Sequence, residues 1–244
     1  MINLIKGECI EQMKLIPTGS IDAIITDPPY GTTACKWDSV IDFDLMWKQL
    51  NRIIKPNGAI VLFGSEPFSS ALRMSNIKNY KYDWVWQKTR STGNLNAKRM
   101  PLKAHEIVSV FNCKGHYFPQ KTQAPEYLID RRKTINNSKV KAGGGFNGSK
   151  EYINIRTKDD GTRYPTSIQK FKNPNNNSLH PTQKPVALME YLIKTYTKEG
   201  ETVLDFTMGS GSTGVAAKNL NRDFIGIELD DKYFEIAENR ITND

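Results

Sequence analysis

Two short stretches place reactive groups at the ends of apolar runs. The first is D-P-P-Y at 27–30, which follows I-D-A-I-I-T and ends a β-branched run on a carboxylate and two residues of fixed φ. The second is D-F-T-M-G-S-G-S-T-G at 205–214, in which Gly209, Gly211 and Gly214 let the backbone turn tightly into a helix N-terminus. Glu228 closes the next apolar run, in I-G-I-E-L-D, where an acid can accept both hydroxyls of a ribose. Loop and acid together describe a nucleoside cofactor. Taken alone, the loop is a literal G-x-G-x-x-G and equally suggests a dinucleotide dehydrogenase. No Walker lysine follows it, which argues against a phosphate-binding P-loop.

These stretches need elements to hold them. Ile21 to Ile25 reads as a buried strand. Phe43, Met46, Trp47, Leu50, Ile53 and Ile54 fall on one helical face, and the pattern stops at Pro56 and Gly58. Strand A-I-V-L-F follows, then a helix from about Pro67 to Ile77 and strands around Tyr82 to Trp86 and Glu106 to Phe111. Further along, Pro185 opens a helix through Tyr196, followed by strand Thr202 to Phe206, a helix through about Leu220, strand Phe224 to Glu228 and a helix from Asp230. This alternation predicts an α/β, doubly wound, mostly parallel sheet. Ligands of such sheets lie at the carboxyl ends of the strands, which is where Asp27 and the glycine loop fall.

The charge is unevenly placed. Of the 34 basic and 26 acidic residues, 13 and 5 lie between 113 and 178, so the remainder of the chain is balanced at 21 each. The same segment carries G-G-G-F-N-G at 143–148 and N-P-N-N-N at 173–177, and it interrupts the apolar periodicity. Interleaved aromatics, Tyr117, Phe118, Tyr127, Phe146, Tyr152, Tyr164 and Phe171, argue against simple disorder. It reads as a basic insertion with a polyanion-binding surface, dividing one domain into residues 1–112 and 179–244.

Composition excludes other classes. The longest apolar run, Ala59 to Phe63, falls far short of the ~20 residues that span a bilayer. The N-terminal M-I-N-L-I-K-G-E-C has neither the basic head nor the apolar stretch of a signal peptide, so a bacterial or phage-type cytoplasm is expected. Cys9, Cys35 and Cys113 form no C-x-x-C, and His105, His116 and His180 make no zinc spacing, so neither a disulfide nor a structural metal is expected.

D-P-P-Y at 27–30, H-P-T-Q-K-P at 180–185, and the glycine loop with its acid near the C-terminus resemble the amino-group DNA methyltransferases in the permuted, beta-class motif order. The resemblance covers nearly the whole chain outside the insertion. It implies that the D-P-P-Y loop, Asp27, Pro28, Pro29 and Tyr30, holds a flipped base. It implies an S-adenosylmethionine site from Asp205, Phe206, Thr207, Gly209, Ser210, Gly211, Thr213 and Glu228, with His180, Thr182 and Lys184 beside the methionine end. Residues 1–112 are then the catalytic half, 179–244 the cofactor half, and 113–178 the target-recognition region for double-stranded DNA. Arg131, Arg132 and Lys133 are its candidate phosphate contacts, while Trp86, Lys88, Lys98, Arg99 and Lys103 line the DNA path.

The chain departs from the family in two places. Relatives usually read D-P-F-x-G-S-G, with the Phe against the cofactor; here Asp205 is followed by Phe206 and Thr207, and either could take that place. Relatives commonly read G-D-C near the N-terminus, where this chain has Gly7, Glu8 and Cys9. Glu8 is therefore a candidate contact to the cofactor's adenine or a solvent-facing acid at a strand end.

The chemistry suits an aromatic amine. Its lone pair is delocalised into the ring, so a site must favour a tetrahedral nitrogen that gathers positive charge as it attacks the sulfonium methyl. The Asp27 carboxylate and the Pro28 carbonyl can accept its two N–H bonds, preset by the prolines, and Tyr30 can stack on a base rotated out of the duplex. No cysteine follows a proline, which argues against carbon-5 cytosine methylation. Relatives acting on adenine usually begin the tetrapeptide with Asp and those acting on cytosine with Ser, so Asp27 favours adenine. A nicotinamide-dependent oxidoreductase and a DNA-binding module without activity are the alternatives from other classes. The recognised DNA sequence, a homodimeric state and an accompanying restriction endonuclease stay open.

Overall fold

The computed structural model describes residues 1–32, 38–126, 138–141, 151–154, 160–174, 179–180 and 182–243. The chain forms two compact units, Met1–Phe118 with Thr166–Asp244, and Pro119–Pro165.

The larger unit is built on an eight-stranded sheet. With strands numbered along the chain, its order is β1 (Ile2–Lys6), β12 (Asp223–Glu228), β11 (Thr202–Asp205), β2 (Ile21–Thr26), β3 (Ile54–Gly64), β5 (Lys103–Asn112), β4 (Tyr80–Thr92) and β10 (Ile168–Phe171). Only β5 runs against the others. Its reversed direction brings its first residues, not its last, to the edge where the other strands end.

Burial on both faces accounts for the continuous apolar runs. All six residues of β2 are buried, with Ile24 turned to one core and Ala23 and Ile25 to the other. The first core packs α1 (Cys9–Lys14), α2 (Phe43–Ile53) and α3 (Phe68–Ser75) through Met13, Leu50 and Leu72. The second packs α4 (Val186–Tyr196), α5 (Ser212–Asn219) and α6 (Asp231–Asn243) through Leu192, Ala216 and Ile241. α2 starts where the Asp42 carboxylate accepts the Leu45 N–H at 3.0 Å.

The helical pattern in the sequence takes in Ile54 and stops at Pro56 and Gly58, but α2 ends at Ile53 and β3 begins directly at Ile54. The register against β2 jumps from Ile21↔Ile54 to Ala23↔Ala59, so Lys55 to Gly58 form an irregularity inside the strand. Inside the basic segment 113–178, β10 pairs in parallel with β4 and so belongs to the main sheet.

Strand β2 leads through α2 to β3 on one side, and β11 leads through α5 to β12 on the other. The strand order therefore reverses between β2 and β11, which pair directly through Val203↔Ala23 and Leu204↔Ile24. Such a reversal leaves a crevice beyond the strand ends.

In the smaller unit, β6 (Thr122–Gln123) pairs antiparallel with β9 (Thr162–Arg163), and β7 (Ser138–Lys141) with β8 (Glu151–Asn154). The Lys121 ammonium lies 4.5 Å from the centre of the Tyr164 ring. Arg131, Arg132 and Lys133 lie outside the described residues. No helix among the described residues is long and apolar enough to cross a membrane.

Candidate active site

At the crevice lies a cavity of about 630 Å³, within the range of small-molecule sites. Its walls include D-P-P-Y, the glycine loop, Glu8, Glu228, and His180 through Lys184 without the undescribed Pro181. Motifs far apart in the sequence thus open on one space.

Asp205, at the end of β11, ties the two central strands together. It is 3 % exposed; Oδ1 accepts from Thr26 Oγ1 at 2.5 Å and the Thr207 N–H at 3.2 Å, and Oδ2 from Thr213 Oγ1 at 2.5 Å. Burial pushes its carboxyl up to about 6 against those donors. Its oxygens are engaged with the protein, so Asp205 braces the loop. Thr207 continues the brace, with Oγ1 2.7 Å from Thr26 Oγ1 and donating to the Asp27 carbonyl at 3.2 Å. Phe206 is 1 % exposed and packs into the first core while touching the cavity.

The glycine loop bends as its residue types require. Gly209 and Gly211 have φ of 51° and 79°, in the left-handed region. A Cβ on Gly211 would come within 3.0 Å of the Ala237 Cβ and Ile241 Cδ1 of α6. Ser210 is held from behind by Arg240, whose Nη1 donates to its carbonyl and, at 3.1 Å, to its hydroxyl.

Glu228 ends β12 against this loop. Oε2 accepts the Gly209 N–H at 2.8 Å, and Oε1 accepts from Leu229 at 2.9 Å and Asp230 at 2.8 Å. Burial raises its carboxyl, opposed by those three donors. Oε1 is filled by its two donors, while Oε2, with one, keeps acceptor capacity in the cavity wall. Glu8 is exposed at the cavity rim and caps α1, with Oε2 accepting the Glu11 N–H at 2.8 Å.

His180 is 8 % exposed and packs edge-on against Tyr233, with ring centroids 4.1 Å apart. Burial, and secondarily the Lys184 charge, hold it down at about 4, so it is neutral at pH 7. Nδ1 lies 3.0 Å from Thr182 Oγ1 and accepts the Thr182 N–H at 3.2 Å.

The D-P-P-Y loop carries the strongest electrostatics. Tyr30 Oη donates to Asp27 Oδ1, and Lys184 Nζ donates to Asp27 Oδ2. The Tyr30 ring packs on Phe68 at 5.0 Å. Lys184 Nζ also stands 3.4 Å from Glu106 Oε2, while Lys88 Nζ pairs with Glu106 Oε1 at 2.6 Å. The result is a buried row of alternating charge, Asp27, Lys184, Glu106, Lys88. Burial raises the Asp27 carboxyl, partly offset by Lys184. Burial alone would lower Lys184, but Asp27 and Glu106 hold it above its ordinary value. Burial works against the Glu106 charge too, yet Lys184 and Lys88 keep that carboxyl below the usual range.

Three residues of this site were not picked out from sequence. Asp38 accepts the backbone N–H groups of Tyr30, Gly31 and Thr32 at 2.8, 2.9 and 2.9 Å, fixing the loop after the tetrapeptide. Ser65, at the end of β3, accepts from Lys103 Nζ. Glu106 reaches the site from the reversed strand β5. Lys88, expected on a DNA path, has only 9 % of its side chain exposed and lies in the cavity wall on Glu106, whereas Lys98 and Arg99 are exposed in the β4–β5 connection. Apart from the cavity, Asp22, His116 and Glu201 bring ligand-type atoms within 4.8 Å of one another. Both Asp22 oxygens accept from Lys55 Nζ, at 2.7 and 2.8 Å, which already meets that buried charge.

Residues 21–239 match the sequence model of the N6/N4 methyltransferases, described as DNA methylase. The chain is 30% identical over 267 residues to the type II methyltransferase M.HinfI of Haemophilus influenzae, spanning 98% of this chain and 67% of that protein. It is 29% identical over 254 residues to the type II methyltransferase M.HpaI of Haemophilus parainfluenzae, spanning 99% and 74%. The crystal structure of the M1.HpyAVI–SAM complex matches with a TM-score of 0.64 at 26% identity, over 99% of this chain and 100% of that one.

Proposed function

Because the chain belongs to the N6/N4 DNA methylase family, we propose that it transfers a methyl group from S-adenosylmethionine to the exocyclic amino group of adenine in double-stranded DNA, after base flipping and without a covalent enzyme intermediate. One observation carries this reading. The Asp27 carboxylate and the glycine loop braced by Asp205 end adjacent strands and open on the same cavity. An amine acceptor site and a nucleoside site within one cavity are what direct methyl transfer requires.

S-adenosylmethionine supplies an electrophilic methyl group on a sulfonium. The chain's residues fit such a ligand: a left-handed glycine turn leaves room against His180, with a Cβ on Gly209 3.6 Å from its ring, and Glu228 presents a carboxylate at the strand end. Glu228 accepts the ribose hydroxyls, and neutral His180 with Thr182 lines the methionine end. At the other side, Asp27 and the Pro28 carbonyl accept the N–H bonds of the target amine, and Tyr30 faces the flipped base. The basic segment 113–178 contacts the phosphates. Adenine is favoured by Asp27 as the first residue of the tetrapeptide. The same geometry would serve the amino group of cytosine.

Product analysis separates the two substrates. Genomic DNA from cells expressing the protein is digested to nucleosides and resolved by mass spectrometry; N6-methyladenine is expected. N4-methylcytosine in its place would reassign the substrate, and neither product would overturn the reading.

A binding prediction accompanies it. Glu228→Ala is expected to weaken S-adenosylmethionine binding by about 1.5–3 kcal/mol, the range for a hydrogen bond to a charged group. Isothermal calorimetry on the folded variant checks this, and wild-type affinity would place the ribose elsewhere.

A further inference from the structure

Both Asp27 oxygens are already engaged, by Tyr30 Oη and Lys184 Nζ. Each oxygen keeps a second lone pair, but a target amine would share Oδ2 with an ammonium that draws off its negative charge. Glu106 Oε2 is buried, accepts no hydrogen bond among the described residues, and faces Lys184 Nζ at 3.4 Å. The ammonium thus has a second acceptor within a short displacement. Lys88, bonded to the other Glu106 oxygen at 2.6 Å, decides how much negative charge Glu106 can offer. We infer that Glu106 is a positioning residue for methyl transfer: it draws the Lys184 ammonium off Asp27 Oδ2 as the amino group enters, and Lys88 tunes that pull.

This rests on Asp27 being the amine acceptor proposed above. In the chemical step the amino nitrogen forms its bond to the methyl carbon as the carbon–sulfur bond breaks, and that electron pair stays on sulfur. The proton that leaves the charged nitrogen passes to Asp27. Lys184 keeps its own protons and only changes partner. With Lys184 held on Glu106, Asp27 is a stronger acceptor and base than with the ammonium on its own oxygen.

The groups around Asp27 come from several elements: Tyr30 and Asp38 from its own loop and the segment that follows, Lys184 and His180 from the stretch before α4, Glu106 and Lys103 from β5, Lys88 from β4 and Asp205 from β11. Of these, only Glu106 and Lys88 continue the charge row beyond Lys184. The two have opposite effects. Without the Glu106 charge, Lys184 stays on Asp27 and holds its carboxyl down. Without the Lys88 charge, Glu106 takes Lys184 more fully and Asp27 rises.

The experiment compares Glu106→Gln, Lys88→Met and Lys88→Arg with the wild type. One arm follows the Asp27 carboxyl by 13C NMR titration of the free protein; the other follows the pH profile of single-turnover methylation with saturating S-adenosylmethionine. In both arms the Asp27 titration and the acid limb are expected to move down in Glu106→Gln and up in Lys88→Met, with Lys88→Arg restoring the wild-type position. The plateau rate of Glu106→Gln is expected to fall by ~10-fold or more, with cofactor affinity within a few-fold. Movement in the same direction in both variants, or none in either, would overturn the inference. The NMR arm reports on Asp27 whether or not DNA is methylated, so it separates failure of the charge row from failure of the proposed function.

Discussion

Replacing Asp27 with alanine is expected to slow single-turnover methyl transfer at least ~100-fold while leaving affinity for S-adenosylmethionine within a few-fold of wild type. Glu228 and the glycine loop, the proposed cofactor contacts, are held by bonds that do not involve the Asp27 side chain. In the proposed reaction Asp27 acts as charge builds on the amino nitrogen, so its loss would fall on the chemical step. A lost preorganised electrostatic contact costs about 2.7–4 kcal/mol, or a factor of roughly 100–1,000. Asp27→Asn should lie between, since an amide oxygen still accepts a hydrogen bond but carries no charge. Rapid-quench measurement under saturating cofactor decides it, and a folded Asp27→Ala protein with wild-type single-turnover rate would refute the assignment.

The second large effect is on stability. Lys184 has 7% of its side chain exposed and stands between two carboxylates. Lys184→Met keeps the bulk of the stem and removes the charge, which leaves Asp27 without a cation and Glu106 with Lys88 alone. Breaking a buried pair in this way costs about 3–5 kcal/mol. The pH dependence follows from the sign of the shift. With the ammonium gone, the Asp27 carboxyl, already raised by burial, rises further, so the folded variant binds more protons than the unfolded chain above the ordinary carboxylate range. Its stability must then fall as pH rises through that window, and the deficit relative to wild type should be smaller at pH 5 than at pH 8. Urea unfolding at the two pH values tests this; a deficit independent of pH would show that packing, not charge, is what Lys184 contributes.

The parts of the fold legible in the sequence are those with a strong local signal. Strand β2 is buried throughout and β11 and β12 largely so, leaving short apolar stretches such as Ala23–Ile25 and Phe224–Ile227, and α2 repeats its apolar residues at helical spacing. The six-residue α1 and the four-residue β10 are too short to carry a period, and β10 sits inside a turn-rich basic segment. Pro56 and Gly58 do mark the end of the helical pattern, but they sit inside the irregular first part of β3, because Ile54 already belongs to the strand. In the site, D-P-P-Y and the glycine loop announce themselves through residue types that are costly unless used. Glu106 and Asp38 do not, because an isolated acid in a strand or loop gains its meaning only from a partner supplied by another element. Lys88 shows the converse: a basic residue reads as a surface charge until a buried carboxylate is found beneath it.

The pairing of β1 with β12 and the bond between Thr26 and Asp205 have a consequence for the protein's synthesis. Thr26 and Asp205 are 179 residues apart, and Ile2 pairs with Phe224. A ribosome adding roughly 5–20 residues per second needs on the order of 10–40 s to deliver Asp205 after Thr26 has emerged. Throughout that interval, β2 lacks its β11 neighbour and β1 lacks its partner β12. The nascent chain therefore exposes apolar strand edges that chaperones would recognise, and methylating activity should appear only after the last strand has been released.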